Sequence, residues 1–439
     1  MREELELLSR RSFLRASAGA GAAALSLDGV KAEVARALAD VRTTDSSKVD
    51  DGYWRKIREQ FLLEEGFAYL NTGTVGATPG PVYHALVSYW RMMAQNPNES
   101  SAILQGRYDA IRAKAAAFVG ADASEIEIVR NATEGNNLLA QGLDLKAGDE
   151  VLIGTLEHDS SRQPWRLRAQ RHGIVVREVP IATPPGSPEE IARAFESAVT
   201  PRTRVVSLAH CDTVTGTLAP VAEVARAARA RGLLCFVDGA QTLGMVPIDL
   251  HALGVDAYVM TCHKWLASPA GTGLLYVRRD LHDRIWPNVV TENWWTFKDA
   301  RKYDRLSRRP WPVVAALEDA LDFQNAIGRD RIAARVRALS GYLRSRAAEI
   351  PGVRLYTSNH AALAAGMTSL TLDKVSPLRL REHLRQRYDV YTAERQRGER
   401  YPADPHGVEG IRVSTHYYNT FEQVDRVLEG LRELSGGRA

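Results

Sequence analysis

Seven short apolar runs, alternating with amphipathic segments, constrain the fold of this chain more than any other feature of its sequence. The runs are rich in Val, Ile and Leu, and they read EIEIV (125–129), EVLIG (150–154), GIVVREV (173–179), TRVVSLA (203–209), LLCFVD (233–238), DAYVM (256–260) and GLLYV (273–277). Segments with helical periodicity lie between several of them, at 133–143, 188–199 and 220–231 among others. This alternation predicts an α/β fold with a mostly parallel seven-stranded sheet and helices on both faces.

The pattern changes after residue 325. Longer helical segments and short strands then alternate, with helices predicted at 329–349, 377–387 and 420–435 and strands near 353–356, 366–372 and 410–414. This pattern of helices and short strands predicts a smaller α+β domain at the C-terminus.

The N-terminus carries an arginine pair before an apolar stretch rich in Ala and Gly. The residues SRRSFLR (9–15) are followed by ASAGAGAAALSL (16–27). This pattern is typical of a twin-arginine (Tat) export signal, with cleavage after a small residue such as Ala32 or Ala39. The apolar run is too short and too rich in Gly to form a stable membrane span. We therefore predict a soluble periplasmic or extracytoplasmic enzyme that meets the Tat translocase during export; an amphipathic helix with a chance arginine pair is the alternative.

Four regions follow from these patterns. We predict a signal peptide at 1–39, a linker and N-terminal segment at 40–66, a large domain at 67–325 and a small domain at 326–439. We expect the folded sequence to begin near Tyr53.

Composition excludes several other classes of protein. The formal net charge is +4, and no cluster of Lys and Arg with interleaved aromatic residues suggests a nucleic-acid partner. The three cysteines, Cys211, Cys235 and Cys262, are too few for a disulfide framework, and their spacing matches no metal site. We therefore expect neither nucleic acid nor metal to bind.

Polar residues follow the ends of several predicted strands. His158, His210, Asp238 and Lys264 all lie at or just after such ends, and ligands of open α/β sheets bind beyond the carboxyl ends of the strands. A lysine amine condenses with an aldehyde, and a buried acid keeps a pyridine nitrogen protonated. This pair of residues indicates pyridoxal 5'-phosphate (PLP) as the cofactor.

Two motifs around these residues carry a family resemblance. Asp238 begins DGAQ (238–241), and Lys264 ends TCHK (261–264) within VMTCHKWLASPAGTGLLYV (259–277). From about residue 67 to 420 the chain resembles the class V aminotransferase family of fold-type I PLP-dependent enzymes. The opening YLNTGTVGATP (69–79) and the RRPWP segment (308–312) look closest to its isopenicillin N epimerase-like branch.

The resemblance implies three catalytic residues. Lys264 matches the family's Schiff-base lysine, which also moves a proton at the substrate Cα. Asp238 matches the aspartate that holds the pyridine nitrogen protonated. His158, in LEHDS (156–160), matches the histidine that stacks on the cofactor ring.

The resemblance also implies a set of cofactor-binding residues. Ala132 and Thr133 begin a helix whose first amides suit a phosphate group, and a helix N-cap role for Thr133 is compatible with this. The full implied set is Ala132, Thr133, His158, Thr213, Asp238, Gln241, Thr261, His263, Lys264 and Ser307. Gln241 would donate to the phenolic oxygen of the cofactor, while Thr261 and His263 would help to hold the phosphate.

Two of these positions depart from the family pattern. Thr213 stands where relatives often have an asparagine that reaches the phenolic oxygen. Ser307 stands where many relatives have a threonine that reaches the phosphate of a partner subunit. Ser307 keeps the hydroxyl, so we expect a homodimer with shared active sites.

Arg412 and Asn71 are the predicted substrate-binding residues. Arg412, in GIRVS (410–414), matches the arginine that clamps the substrate α-carboxylate through two parallel hydrogen bonds. Asn71 belongs to a loop that resembles the family's L-N-x-G loop at the mouth of the site. We therefore expect an amino acid or a peptide-like metabolite as substrate.

The choice of reaction stays open at this point. Transamination, epimerisation and carbon–sulfur elimination all need Lys264 and differ in the pocket around it. Cysteine desulfuration is disfavoured because no cysteine follows Cys262.

Two other classes of protein are also disfavoured. Intact Lys264 and Asp238 argue against a PLP-fold protein that only binds a ligand. The absence of G-x-G-x-x-G after the first strand argues against an NAD(P)-dependent oxidoreductase.

Overall fold

The computed structural model describes residues 26–43, 50–303, 306–395 and 407–436. The α-helices, numbered in chain order, are α1 Leu27–Val41, α2 Asp51–Glu59, α3 Gly80–Gln95, α4 Pro97–Gly106, α5 Tyr108–Phe118, α6 Ala132–Gly142, α7 Asp159–His172, α8 Pro188–Ala198, α9 Val221–Ala230, α10 Leu250–Leu253, α11 Trp311–Ile327, α12 Arg329–Ala347, α13 Pro377–Tyr388 and α14 Phe421–Ser435. The strands are β1 Ala68–Tyr69, β2 Ile126–Val129, β3 Glu150–Gly154, β4 Val175–Val179, β5 Thr203–Ala209, β6 Leu234–Asp238, β7 Ala257–Thr261, β8 Gly273–Val277, β9 Val353–Leu355, β10 Met367–Leu372, β11 Val390–Tyr391, β12 Ala393–Arg395 and β13 Gly410–Ser414.

The predicted seven-stranded sheet is confirmed. Its strand order is β2-β8-β7-β6-β5-β3-β4, and the five strands from β7 to β4 are parallel to their neighbours. Strand β8 alone runs against both of its neighbours in this sheet. Strands β3, β6 and β7 are buried at every residue, whereas the edge strand β4 is partly exposed. Burial on both faces explains why the central runs are continuously apolar rather than alternating.

Strand boundaries agree with the sequence pattern to within two residues. The run GIVVREV begins as a strand at Val175 rather than Gly173, because Gly173 ends α7. With φ of 69°, this glycine adopts the left-handed conformation that commonly terminates helices. The preceding helix therefore decides where the strand begins.

A smaller α+β unit follows the large sheet. Its four-stranded sheet has the order β12-β13-β10-β9, all antiparallel, and α12, α13 and α14 pack against its strands or against one another. Strand β1 pairs in parallel with β11, and Asn71 forms a bridge with Ser414 of β13. The chain near residue 70 thus lies beside the C-terminal strands, while the exact division between the two units stays a prediction.

Folded structure begins earlier than expected. The expectation of a start near Tyr53 is wrong, because α1 buries Val30, Val34, Leu38 and Val41 in the same apolar core as α3 and α11. The sequence pattern around this helix resembles a leader, and only its tertiary contacts distinguish it from one.

A buried ion pair also anchors α1. The Lys31 Nζ atom lies 2.8 Å from Glu318 Oε2 and 2.6 Å from Asp319 Oδ1, and both carboxylates are buried on α11.

The predicted cleavage points Ala32 and Ala39 both lie within α1. The arginine pair lies outside the described residues, so the export signal stays a prediction. Among the described residues, no helix is long and apolar enough to cross a membrane.

This arrangement predicts how far the N-terminus can be shortened. We expect a chain that begins at Ser26, whose hydroxyl accepts from the Gly29 amide and caps α1, to unfold at the same urea concentration as the full-length chain. A chain that begins at Asp40 should lose several kcal/mol, since each buried aliphatic side chain contributes about 1.5–3 kcal/mol and the acids on α11 lose a cation. Urea titration followed by circular dichroism measures both.

Point variants separate the ion pair from the apolar contacts. Lys31→Met should destabilise the chain by at most about 3–5 kcal/mol, because Asp319 loses its cation and keeps the hydrogen bond from Tyr89. Lys56→Met removes an exposed lysine of α2 and should have no such effect. Equal unfolding midpoints for the chains that begin at Ser26 and at Asp40 would contradict a structural role for α1.

Candidate active site

The carboxyl ends of the parallel strands border a cavity of roughly 160 Å³. Its walls come from the turns that follow β2, β3, β5, β6 and β7, and its lining residues are Asn131, Ala132, Thr133, His158, Ser160, Ala209, Cys211, Thr213, Asp238, Ala240, Gln241, Thr261, His263 and Lys264. Nine of the ten residues that we expected to bind the cofactor therefore meet in one cavity, and Ser307 is the exception.

One end of the cavity is the N-terminus of α6. Asn131 caps this helix by accepting a hydrogen bond from the Glu134 amide at 3.1 Å, so Thr133 is not the cap but a residue of the first turn. The Ala132 amide donates to Thr261 Oγ1 at 3.1 Å, which joins this turn to the end of β7. Amides and hydroxyls at a helix N-terminus suit a phosphate group.

Asp238 lies at the end of β6 with both carboxylate oxygens already oriented. Asn136 Nδ2 donates to Oδ2 at 2.8 Å, and the Ala240 amide donates to Oδ1 at 2.9 Å. Each carboxylate oxygen can accept a further hydrogen bond, so a protonated ring nitrogen fits here. Sequence reasoning missed Asn136. The only feature that could have indicated its role is that it is a polar residue on the buried face of α6.

Lys264 lies just after β7 and is half-buried. Burial lowers the pKa of its amine to about 8; Asp238 raises this pKa, whereas Arg412 and Arg395 lower it. A substantial fraction of the amine is therefore neutral slightly above neutral pH. The neutral amine is the form that attacks a carbonyl or accepts a proton.

A second loop closes over the lysine turn. The Gly76 amide donates to the His263 carbonyl at 2.8 Å. A Cβ atom at Gly76 would lie 1.9 Å from the Lys264 carbonyl oxygen, so only glycine permits this approach. The loop from Asn71 to Gly76 is thereby held against the site.

The two predicted histidines after strands have different surroundings. His158 caps α7, and its Nδ1 accepts from the Ser160 amide at 3.1 Å, which leaves Nε2 to carry the proton of the neutral ring. Burial lowers the pKa of His158. The charge of Lys264 lowers this pKa further, whereas the charge of Asp238 raises it.

His210 does not line the cavity but is buried beside Tyr258, with 2.7 Å between its Nδ1 atom and the phenol oxygen. The expected convergence of His210 on the site is therefore wrong, because its side chain packs into the core.

Arg412 of β13 is buried and held by both ends of its guanidinium. Its Nη2 donates to Asn71 Oδ1 at 3.1 Å and to Thr74 Oγ1 at 2.8 Å. Its Nη1 donates to the Thr213 carbonyl at 3.2 Å and also to Thr213 Oγ1. The two predicted substrate residues, Asn71 and Arg412, are thus in direct contact, and Thr213 lies between them and the cofactor cavity.

Sequence reasoning missed a second arginine at this point. Arg395 of β12 donates to the Thr213 carbonyl at 2.8 Å and to Thr213 Oγ1 at 3.3 Å. Two guanidinium groups therefore converge on one threonine at the edge of the cavity. Their charges favour a substrate that carries a carboxylate. No motif marked Arg395, because its place depends on the pairing of β12 with β13.

Ser307 lies in a different cavity. It lines a space of roughly 740 Å³ together with Glu127, Arg309 and Trp311. Its hydroxyl is not brought to the cavity of its own chain, so its predicted contact with the cofactor phosphate requires a second subunit and stays a prediction.

The cysteines of the chain are poorly suited to act as nucleophiles. Cys211, Cys235 and Cys262 are all buried. Burial raises the pKa of Cys262 to about 12, and it also raises the pKa of Cys211 and Cys235. The thiols are therefore protonated near neutral pH, whereas the nucleophilic form is the thiolate.

Comparisons with known proteins agree on one family. The family model for aminotransferase class-V matches residues 68–427. Isopenicillin N epimerase of Amycolatopsis lactamdurans is 33% identical to the chain over 408 residues, with coverage of 87% of this chain and 98% of the relative. A probable cysteine desulfurase of Methanothermobacter thermautotrophicus is 28% identical over 400 residues, with the same two coverages of 87% and 98%.

Solved structures agree in fold. A lysine mutant of C-DES, with glycine covalently linked to its PLP cofactor, has a TM-score of 0.77 and 26% identity, and the match covers 86% of this chain and 99% of that one. C-DES is described as a cystine C–S lyase in a second structure, which matches with a TM-score of 0.74. The cysteine desulfurase CsdA of Escherichia coli matches with a TM-score of 0.77 at 23% identity over 88% of this chain and 98% of its own.

Proposed function

Because the chain belongs to the aminotransferase class-V family of PLP-dependent enzymes, we propose that it acts at the Cα or the amino group of an amino acid or peptide-like metabolite. Epimerisation at Cα is the first candidate reaction. The observation that carries the proposal is the single cavity that joins Lys264, Asp238 and the helix N-terminus at Ala132.

The residues of the cavity fit PLP. Asp238 is held with free acceptor capacity, the first turn of α6 offers phosphate donors, and Lys264 has a partly neutral amine. When bound, PLP withdraws electrons from the substrate Cα and so makes its hydrogen acidic. Asp238 would keep the proton on the ring nitrogen, and Lys264 would take and return the proton at Cα.

The substrate carboxylate belongs on the side of Arg412. Arg412 and Arg395 form the cationic edge of the cavity, and Thr213 holds both of them in place. The loop from Asn71 to Gly76 packs against the lysine turn through the hydrogen bond from the Gly76 amide to the His263 carbonyl. A fixed carboxylate orients the Cα–H bond, and orientation decides which bond at Cα reacts.

The relatives and the cysteines favour epimerisation over desulfuration. The isopenicillin N epimerase of Streptomyces clavuligerus is 29% identical and covers 87% of this chain, in addition to the Amycolatopsis relative. Desulfuration would need a reactive thiol, and the 439 residues hold only the three buried cysteines. Carbon–sulfur elimination is the second candidate, because C-DES shares both the fold and 26% of its sequence.

One experiment separates the reactions. The PLP-loaded protein is incubated in D₂O with a panel of amino acids, α-aminoadipyl peptides and cystine, and the products are followed by NMR and chiral chromatography. Epimerisation gives deuterium at Cα and the inverted stereoisomer without a 2-oxo acid. Elimination from cystine breaks the Cβ–S bond and gives cysteine persulfide, pyruvate and ammonia. Transamination gives a 2-oxo acid together with an aminated cofactor. Absence of any Cα exchange or product across the panel would contradict the proposal.

Arg412 provides a direct test of substrate binding. We expect Arg412→Lys to raise the KM by about 10- to 100-fold with a smaller change in kcat, because a point charge replaces a two-pronged donor worth roughly 1.5–3 kcal/mol. Steady-state kinetics on the substrate found above measures both constants. Arg346→Lys, an exposed change on α12, is the control, and an unchanged KM for Arg412→Lys would place the carboxylate elsewhere.

We also propose that the enzyme is a homodimer with shared active sites. The hydroxyl of Ser307 lies outside its own cofactor cavity, and large apolar side chains nearby are exposed, namely Trp286, Val289, Val290 and Trp295. A second copy would cover these side chains and bring its Ser307 to the phosphate. Sedimentation velocity should give a dimer, and a monomer at micromolar concentration with full cofactor occupancy would contradict this.

Export through the twin-arginine route is a further proposal, supported by the pattern SRRSFLR at residues 9–15. Replacement of both Arg10 and Arg11 by lysine should leave the enzyme in the cytoplasm. Cell fractionation with an activity stain measures the distribution. An unchanged distribution would contradict this route.

A further inference from the structure

We propose that Trp265 is a positioning residue that decides which end of the Gln241 side-chain amide faces the cofactor. The inference rests on the PLP-binding role of this cavity and on the predicted donation from Gln241 to the phenolic oxygen. It concerns the residue directly after Lys264, to which no motif assigned a role.

Two neighbours hold the Gln241 amide in one orientation. The Trp265 indole nitrogen donates to Gln241 Oε1 at 2.9 Å, and Gln241 Nε2 donates to the Gly73 carbonyl at 2.8 Å. An indole N–H only donates and a backbone carbonyl only accepts. A flipped amide would therefore meet a donor with its nitrogen and an acceptor with its oxygen. A buried polar group left unsatisfied in this way is strongly disfavoured, so the observed orientation is the stable one.

Trp265 is itself held from three directions. Its carbonyl oxygen accepts from Gln324 Nε2 at 2.6 Å and lies 3.1 Å from His416 Nε2. Its ring stacks on His416 with 5.6 Å between centroids, and a Cβ atom at Gly366 would lie 2.5 Å from the ring. The side chain is 1% exposed. The indole N–H is therefore fixed, and Gln241 must adapt to it.

The fixed orientation has a chemical consequence. The amide nitrogen of Gln241 carries two hydrogens, of which Gly73 accepts one, and Gln241 lines the cavity where the second can be donated. Donation to a phenolic oxygen favours its ionised form, whereas an amide oxygen in the same place would favour the protonated form. Trp265 thus acts on the protonation state of the cofactor through Gln241, without touching the cofactor.

The test is a pH titration of the visible absorption band of the holoenzyme. Trp265→Phe keeps an aromatic ring and removes the N–H. We expect Gln241→Leu to raise the pH midpoint of the band by about one unit and Trp265→Phe to raise it by less, because the Gly73 carbonyl still accepts from the amide nitrogen of Gln241. The double variant should move the midpoint no further than Gln241→Leu alone, because Trp265 acts on the cofactor only through Gln241.

A matched control separates positioning from packing. Trp165 is also buried, and its indole nitrogen donates to Ser207 Oγ at 3.3 Å in another part of the core. Trp165→Phe should lower thermal stability without moving the midpoint. If Trp265→Phe does not fold, benzothienylalanine at position 265 replaces the indole N–H with sulfur in an almost identical shape.

The outcomes are distinct. A midpoint unchanged by Trp265→Phe, with a shift in Gln241→Leu, would overturn the positioning role of Trp265. A midpoint unchanged by Gln241→Leu would overturn the proposal through its premise. Neither result bears on the Cα chemistry, which the deuterium-exchange panel tests separately.

Discussion

Replacement of Lys264 by alanine should abolish turnover while the protein stays folded. In the proposed function the amine both bonds to the cofactor aldehyde and carries the proton at Cα, and a positioned acid–base group alone contributes about 10²- to 10⁴-fold. We therefore expect a loss of at least about 1,000-fold in kcat together with the loss of the visible band of the lysine-bound cofactor. Steady-state kinetics and an absorption spectrum measure the two effects.

Chemical rescue distinguishes a catalytic lysine from a structural one. The alanine variant leaves space beside Asp238, so added methylamine should restore part of the activity in proportion to its neutral form. Lys146→Ala, which removes an exposed lysine, is the matched control and should keep both band and activity. Retained turnover in Lys264→Ala without added amine would contradict the assignment.

The pH dependence of cofactor capture tests the environment of the same amine. Burial lowers the pKa of Lys264 to about 8, so its reactive neutral fraction should rise steeply between pH 6 and 9. An ordinary lysine with pKa 10.4 would be neutral only in a small fraction over that range. Stopped-flow addition of PLP to the apoenzyme should show a rate that rises with pH and levels off above about pH 9. A rate that still rises tenfold per unit above that pH would contradict the lowered pKa.

Asp238→Ala should give the second large loss of activity. Removal of the carboxylate leaves the ring nitrogen without its ionic partner, and breaking a buried pair costs about 3–5 kcal/mol. This corresponds to a loss of roughly 10²- to 10⁴-fold in kcat. Asp238→Glu keeps the charge and should lose far less. Equal activity of the two variants would contradict the role of the carboxylate.

A second buried aspartate on the same sheet provides the control. Asp256 lies before β7, at the opposite edge from the cavity, where it accepts from the Cys235 amide at 2.7 Å and pairs with Arg278. Asp256→Ala should lower the unfolding temperature without changing the cofactor band. A similar spectral change in both variants would show that the effect of Asp238 is one of general stability.

Much of the large sheet could be predicted from local pattern. A strand buried on both faces must be largely apolar along its length, and this makes β3, β6 and β8 recognisable from their residues alone. Asp238 and Lys264 could be located for the same reason, since each directly follows such a run. The family motifs then indicated the cofactor.

Other features left no local signal. Helix α1 reads as part of an export leader, and only its contact with Glu318 and Asp319 identifies it as part of the core. Asn136 and His210 are both polar residues close to the end of a strand, and nothing in their neighbouring residues distinguishes their roles. One supports Asp238, and the other packs away from the cavity.

By itself, the sequence determined the order of most strands and helices, the cofactor, and the lysine and aspartate that we propose to serve it, because hydrophobic periodicity and short motifs are properties of neighbouring residues. Only the tertiary structure decided that Arg412 meets Asn71, 341 positions away in the chain, and that Arg395 and Thr213 join them. It also decided that Trp265 orients Gln241 and that α1 belongs to the fold. These contacts arise when distant elements pack to bury their apolar faces, and no local pattern encodes which polar groups that packing brings together.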